Sequence, residues 1–247
     1  VRINEGIVED IVVKGNIKTK AHVVIREMRT KKGQPFNSKD ARRSMQKLYN
    51  LGFFEDVNLK LIPGKEPGAT VLEISVVEQK TGTFSIGGGY SDSDGLIGII
   101  TVGDKNLRGS GDSVTVHWEF GGDASTAGNY SVSYQRPWID SKRTSLGFTL
   151  YNMTNEYTDY DTGGNTISTY DRRYQGFDVT LGRPVNDQIT HFVTLKHRWD
   201  KYIGYVSDTN YETDPRYAPN YIGDNFGLTR SIILSRVYDS RDSNTNP

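Results

Sequence analysis

Beyond residue 80 the hydrophobic pattern has a period of two, and it recurs along the chain. Val114, Val116, Trp118 and Phe120 alternate with Ser113, Thr115, His117 and Glu119. Tyr130, Val132 and Tyr134 alternate with Asn129, Ser131, Ser133 and Gln135, and Leu146, Phe148 and Leu150 with Ser145, Gly147 and Thr149. The same pattern sets Phe177, Val179 and Leu181 against Gly176, Asp178 and Thr180, and Phe84, Ile86 and Tyr90 against Thr83, Ser85 and Ser91. Weaker versions run through 96–106, 189–199 and 226–237, so eight strands are expected. Each is about ten residues long, the length that crosses a bilayer at a tilt. Period two turns every second side chain to the same face, and this excludes a helical fold for two thirds of the chain.

A soluble antiparallel sheet with one wet face shows the same alternation. Three features favour a membrane barrel over a soluble sandwich. The polar face is built from Ser, Thr, Gly, Asn and Gln with scattered charge, which suits a hydrated lumen. Aromatic residues gather at strand ends, at Trp118, Phe120, Tyr134, Trp138, Trp199 and Tyr202, as interfacial girdles do. The connections also alternate in length. Those at 107–112, 139–143 and 183–188 are short, while those at 92–95, 122–128, 154–171 and 201–225 lengthen along the chain. Short turns at one end and long loops at the other are how outer-membrane barrels are built.

Residues 1–80 are a different kind of protein. They hold one of the 15 tyrosines, Tyr49, and none of the three tryptophans. Their charge is +5 and that of residues 81–247 is −5, so the net charge of zero averages two unlike parts. Ile7 to Val13 reads as a strand closed by Lys14-Gly15-Asn16. Ala21, Ile25 and Met28 recur at helical spacing, which predicts a helix over 19–29. A second helix is expected to start at the N-cap Asn37, with Phe36 and Ala41 at hydrophobic-staple positions. Its core stripe is Ala41, Met45, Leu48 and Leu51, and Gly52 provides the left-handed stop. Strands carrying Val57, Leu59 and Leu61, then Leu72, Ile74 and Val76, complete a β-α-α-β-β module with three strands and both helices on one face. The fold class is thus an α+β module followed by an all-β antiparallel barrel portion. The module joins the barrel on its short-turn side and is therefore expected in the periplasm.

The two halves together resemble the BamA family of outer-membrane protein insertases. Ile11-Val12-Val13-Lys14-Gly15-Asn16, Arg26-Glu27-Met28-Arg29 and Leu48-Tyr49-Asn50-Leu51-Gly52-Phe53-Phe54-Glu55-Asp56-Val57 resemble that family's last POTRA domain. Leu51, Gly52, Phe53, Phe54 and Val57 are its most specific part. Gly82-Thr83-Phe84-Ser85-Ile86-Gly87-Gly88-Gly89-Tyr90 resembles the family's first barrel strand. Asp104-Lys105-Asn106-Leu107-Arg108-Gly109-Ser110-Gly111 resembles the turn after its second. Gln135-Arg136-Pro137-Trp138 resembles the aromatic end of the fourth, and Val237-Tyr238-Asp239-Ser240-Arg241-Asp242 the element before the ninth. Members usually carry several POTRA domains and sixteen strands, so the chain reads as a fragment: one POTRA domain (1–80) and the first half of the barrel (81–247). Its start inside a strand-like segment leads to the expectation that any signal peptide has been removed.

The resemblance implies insertion and assembly of β-barrel proteins in the outer membrane. Thr83, Phe84, Ser85, Ile86, Gly87, Gly88, Gly89 and Tyr90 would form a lateral gate that templates client strands. The implied partners are unfolded outer-membrane protein clients, accessory lipoproteins and outer-membrane lipid. Three consecutive glycines weaken a strand and let another backbone approach; their other use is to allow curvature. A two-partner-secretion transporter of the same superfamily and a passive porin or adhesin are the alternative functions.

Other chemistry finds little support. Zero net charge argues against nucleic acid as a partner, and without cysteine there is no disulfide, thiolate or cysteine nucleophile. The longest apolar stretch, 96–102, is broken by Gly98 and is far short of the ~20 residues a membrane helix needs. His22 stands alone. His117 and Glu119 share a face without a third ligand, and His191 and His197 lie ~20 Å apart along a strand. Asp92-Ser93-Asp94-Gly95 lacks the downstream acid of a calcium loop and reads as a hairpin turn. Gly87-Gly88-Gly89 opens no helix, so it cannot be a phosphate loop. No serine sits in a nucleophile elbow. Neither an enzyme nor a cofactor is expected.

Overall fold

The computed structural model describes residues 6–91, 95–121, 128–205 and 226–240. The chain forms two compact units, one drawn from Val1–Gly82 and Asp104–Ser113, the other from Thr83–Gly103 and Val114–Asp239.

The first unit contains β1 (Ile7–Lys14), α1 (Ala21–Glu27), α2 (Ser38–Asn50), β2 (Phe54–Pro63) and β3 (Ala69–Glu78). Its sheet runs β1-β3-β2, with β1 parallel and β2 antiparallel to β3. The pleat puts Leu72, Ile74 and Val76 on the core side, where they meet Val23, Val24 and Met28 from the α1 segment and Leu48 from α2. Helix α2 begins where expected: the Asn37 side chain accepts from the N–H groups of Lys39 and Asp40, satisfying two otherwise orphaned donors. Gly52, at φ 68°, reverses the chain into β2. Ser44, which the apolar stripe overlooks, is fully buried and accepts from the Arg29 N–H while donating to the Asp40 carbonyl.

Helix α1 is shorter than the predicted 19–29. Thr19 is buried and Lys20 is its extended N-cap, both held by the 104–113 segment of the same unit. The Lys20 N–H donates to the Gly109 carbonyl, and Asn106 Nδ2 donates to Thr19 Oγ1 at 2.8 Å. The other end stops because Met28 is extended. Asn106 is 1% exposed, and its Oδ1 accepts from the Gly111 N–H. Gly109 has φ 71°, and a Cβ there would collide with the Lys18 carbonyl, so that turn admits only glycine.

Eight further strands follow: β4 (Gly82–Ser91), β5 (Gly95–Leu107), β6 (Asp112–Gly121), β7 (Asn129–Arg136), β8 (Ser145–Tyr160), β9 (Thr166–Pro184), β10 (Ile189–Tyr205) and β11 (Gly227–Tyr238). They pair in chain order, with β4 and β11 at the two edges of one sheet. The register sets like against like. Leu195 lies opposite Val179 and Ile232, and Val179 lies opposite Phe148, which gives an apolar face. Thr194, one residue away, lies opposite Thr180 on the polar face.

One connection departs from expectation. Residues 154–171 are not a long loop: β8 continues to Tyr160, β9 begins at Thr166, and only a tight turn joins them. The alternation fades there because both faces become polar, while ladder pairing continues through Thr158 opposite Thr169. Asp161 organises the turn by accepting from the N–H groups of Gly163 and Asn165. Likewise β10 runs on to Tyr205. The expected hairpin turn at 92–95, most of the loop at 122–128, residues 206–225 and Arg241-Asp242 lie outside the described residues.

Candidate functional site

The predicted gate residues Thr83 to Tyr90 all lie in β4, the edge strand nearest the N-terminus. A sheet edge leaves alternate N–H and C=O groups unpaired. Phe84, Ile86 and Tyr90 are 70%, 67% and 74% exposed on one face. Thr83, Ser85, Gly87 and Gly89 share the opposite parity. A Cβ at Gly87 or Gly89 would meet nothing within 4 Å, and at Gly88 only the Ile97 carbonyl at 3.3 Å. None of the three has a positive φ. Neither conformation nor packing among the described residues therefore requires glycine there.

The predicted girdle residues fall in different settings. Trp118 and Phe120 lie together on β6, ring centroids 5.0 Å apart, with the Phe120 ring over Gly98. Tyr134 lies opposite Phe148. Trp138 follows β7, with the Arg143 guanidinium 6.0 Å from its ring. Trp199 is 44% exposed on the face carrying Leu195. Tyr202 departs from the pattern. It shares parity with Asp200 and lies opposite Arg172, so it belongs to the polar face. There it packs on Tyr170 at 5.7 Å and Phe226 at 5.8 Å, and Tyr157 stacks on Tyr170 at 5.9 Å. Counting parity from Trp199 reveals this for Tyr202. Tyr157 and Tyr170 escape sequence reading because their segment reads as loop.

The polar face is cross-linked rather than loosely hydrated. Asp200, 2% exposed, accepts from Arg172 Nε at 3.0 Å and Arg198 Nε at 2.8 Å. Asp178 pairs with Lys196 at 3.5 Å and accepts from the Tyr151 hydroxyl at 3.1 Å. His117 Nδ1 meets Thr101 Oγ1 at 3.1 Å, and Glu119 accepts from Asn129. His191 and His197 belong instead to the apolar-face parity, opposite Arg236 and Arg230. His22 is exposed on α1. No group of three potential metal ligands forms among the described residues. In the turn after β7, the N–H and hydroxyl of Thr144 hold the Asp140 carboxyl below its usual range, outweighing burial.

In the first unit, Leu51, Gly52, Phe53, Phe54 and Val57 build the passage from α2 into the core. Leu51 caps α2, and Phe53, Phe54 and Val57 are 4%, 3% and 3% exposed. The two phenyl rings meet edge to face, 6.1 Å apart. Gln79 fastens the segment, its N–H donating to the Phe53 carbonyl and its side chain to that of Gly52.

An antiparallel sheet with one apolar and one polar face, preceded by a β-α-α-β-β domain, defines a transmembrane β-barrel protein with a soluble periplasmic module. Residues 106–247 match the Omp85 superfamily domain, and residues 6–79 match the POTRA family, described as a surface antigen variable number repeat. The chain belongs to the Omp85 superfamily. It is an outer-membrane protein with its POTRA domain in the periplasm. It is 29% identical over 239 residues to an outer membrane protein assembly factor BamA of Nitratidesulfovibrio vulgaris, covering 96% of this chain and 27% of that protein. Its fold matches that of BamA from Haemophilus ducreyi lacking POTRA domains 1–3, with a TM-score of 0.66 at 20% identity, over 98% of this chain and 46% of that one. CdiB from Acinetobacter baumannii matches with a TM-score of 0.55 at 19% identity, over 81% and 39% of the two chains. The chain spans about a quarter of the length of the curated relatives it matches.

Proposed function

We propose that the protein inserts and assembles β-barrel proteins in the outer membrane, with β4 as the strand on which client strands pair. The observation that carries this reading is the Gly87–Gly89 stretch of an edge strand whose glycines answer to no packing or backbone requirement among the described residues. Such a strand holds its neighbours weakly and leaves room for an incoming backbone. In lipid each unpaired N–H or C=O costs several kcal/mol, so an open edge attracts a strand of nearly any sequence. The work is exchange of hydrogen bonds and needs no covalent catalysis. Two relatives, of N. vulgaris and Neisseria meningitidis, are named outer membrane protein assembly factors, which supports unfolded outer-membrane proteins as clients. The POTRA domain supplies a surface for those clients and for accessory lipoproteins.

The chain has no cysteine, so an introduced one reports without background. Thr83→Cys or Ser85→Cys should form disulfides with cysteines placed along a client's terminal strand during assembly. Absence of cross-links at every register tried overturns the templating role and favours transport through the pore.

A further inference from the structure

We infer that the apolar face of the sheet carries a site for the phosphate of a phosphomonoester lipid, formed by His197 and Arg230 at the loop end of β10 and β11. The inference does not depend on client insertion.

The register places His197 directly opposite Arg230 and His191 directly opposite Arg236. Between these two basic rows lie Val193, Leu195, Ile232 and Leu234, exposed at 40%, 51%, 69% and 75%. Six residues separate the rows, ~20 Å along a strand. At a tilt of ~40° that is about 15 Å of membrane depth, less than the ~25 Å apolar band of a typical barrel. Cations on a lipid-facing surface at that spacing must reach water or draw an anion toward them.

The two rows solve this differently. At the turn end, Arg183 lies opposite His191, and its guanidinium meets the Asp140 carboxylate at 3.5 Å; Asp187 stands close by, paired with Arg143. That row has protein acids near it. At the loop end the nearest charged residues of the same parity are Lys201 and Arg173, opposite one another and both basic, and the first acid of that parity, Asp171, lies beyond them. Arg230 has no acidic partner among the described residues. The loop-end row also has a place for a lipid. A groove of about 420 Å³ runs beside it, lined by Phe177, Leu195, His197, Arg230 and Ile232. The Phe177 ring stacks on His197 at 5.2 Å and fixes the imidazole at the groove mouth. The apolar floor suits an acyl chain, and the mouth offers guanidinium and imidazole donors. Four basic side chains without an acid favour the dianion of a phosphomonoester over a singly charged diester.

The test is native mass spectrometry of the purified protein with phosphatidic acid, phosphatidylglycerol and phosphatidylcholine of matched acyl chains, with heat-modifiable migration confirming that each variant is folded. Phosphatidic acid should be retained best. His197→Gln with Arg230→Gln should lower its affinity about tenfold, the loss of one charge-assisted contact. Arg230→Lys should keep most of it, and His191→Gln with Arg236→Gln should leave it unchanged. Equal retention of the three lipids, or equal loss from the loop-end and turn-end pairs, overturns the site. If the double variant does not fold, His197→Gln alone against Arg230→Lys decides: unchanged retention in the former overturns the site as well.

Discussion

The two units bury opposite things. In the POTRA domain Val8, Val23, Val24, Leu48, Leu72 and Ile74 are 0% exposed. In the barrel sheet the least exposed residues include Asn129 at 1%, Thr154 at 2% and Asp200 at 2%, while Ile232 and Leu234 stand 69% and 75% exposed. Each buried polar group in the sheet is paired. Asn129 donates to Glu119 and to the Thr154 carbonyl and accepts from the Thr154 N–H at 2.6 Å, and Asp200 holds two arginines. One chain thus obeys two solvents. Water drives apolar side chains inward in the first unit. Lipid removes that drive in the second, so backbone ladders and a satisfied polar face hold it together.

Truncation breaks this comparison most sharply. Leu48→Ala should destabilise the POTRA domain by about 2–5 kcal/mol, because it removes buried methyl groups and leaves a cavity. The loss is read as reduced hydrogen-exchange protection in peptides of residues 1–80. Leu195→Ala at a half-exposed position of the sheet should cost under about 1 kcal/mol in a bilayer, because acyl chains fill the space and no cavity term remains. Equal costs at the two sites would refute the two-solvent reading. The inverse substitution sharpens it. Leu195→Arg should cost about 2–4 kcal/mol in a bilayer, as expected for a cation deep on the lipid face. Unfolding titrations in liposomes measure this. An unchanged midpoint would place Leu195 away from lipid.

The same contrast explains what the sequence could reveal. Strong one-sided alternation, as in 114–120 and 146–150, marks a strand because one face is lipid and the other is polar. Where both faces turn polar, as from Thr154 to Asp171, the pattern vanishes although the ladder does not. Backbone pairing leaves no mark on side-chain composition. Helix α2 was legible to the residue, since Asn37 and Gly52 are local signals. The true start of α1 was not, because Lys20 is fixed by Gly109, a contact nearly ninety residues away in the chain. At the candidate site, Gly87–Gly89 was visible as a glycine run, but the open space around Gly87 and Gly89 needed coordinates. The basic pair His197 and Arg230 required the β10–β11 register, which neither strand encodes alone.

The smallest effect concerns how the first unit is fastened. Glu78 ends β3, and its carboxylate accepts from the N–H groups of Lys18 at 2.8 Å and Thr19 at 2.6 Å, at the residues that precede α1. Burial raises its pKa, but the hydrogen bonds from Lys18 and Thr19 outweigh that, and the net shift is downward. A carboxyl whose folded pKa is depressed binds fewer protons folded than unfolded across the shifted range, so stability rises with pH there. Its contribution is therefore complete at neutral pH and is lost as the pH falls through the carboxylate range to the folded value. Glu78→Gln keeps the shape and removes the titration. The wild-type protein should lose more protection in residues 1–80 between pH 7 and pH 3 than the variant does, with the two converging at the acid end. Parallel pH profiles would show that the two N–H bonds hold the acid and the carboxylate equally well, leaving Glu78 no part in the acid sensitivity of the POTRA domain.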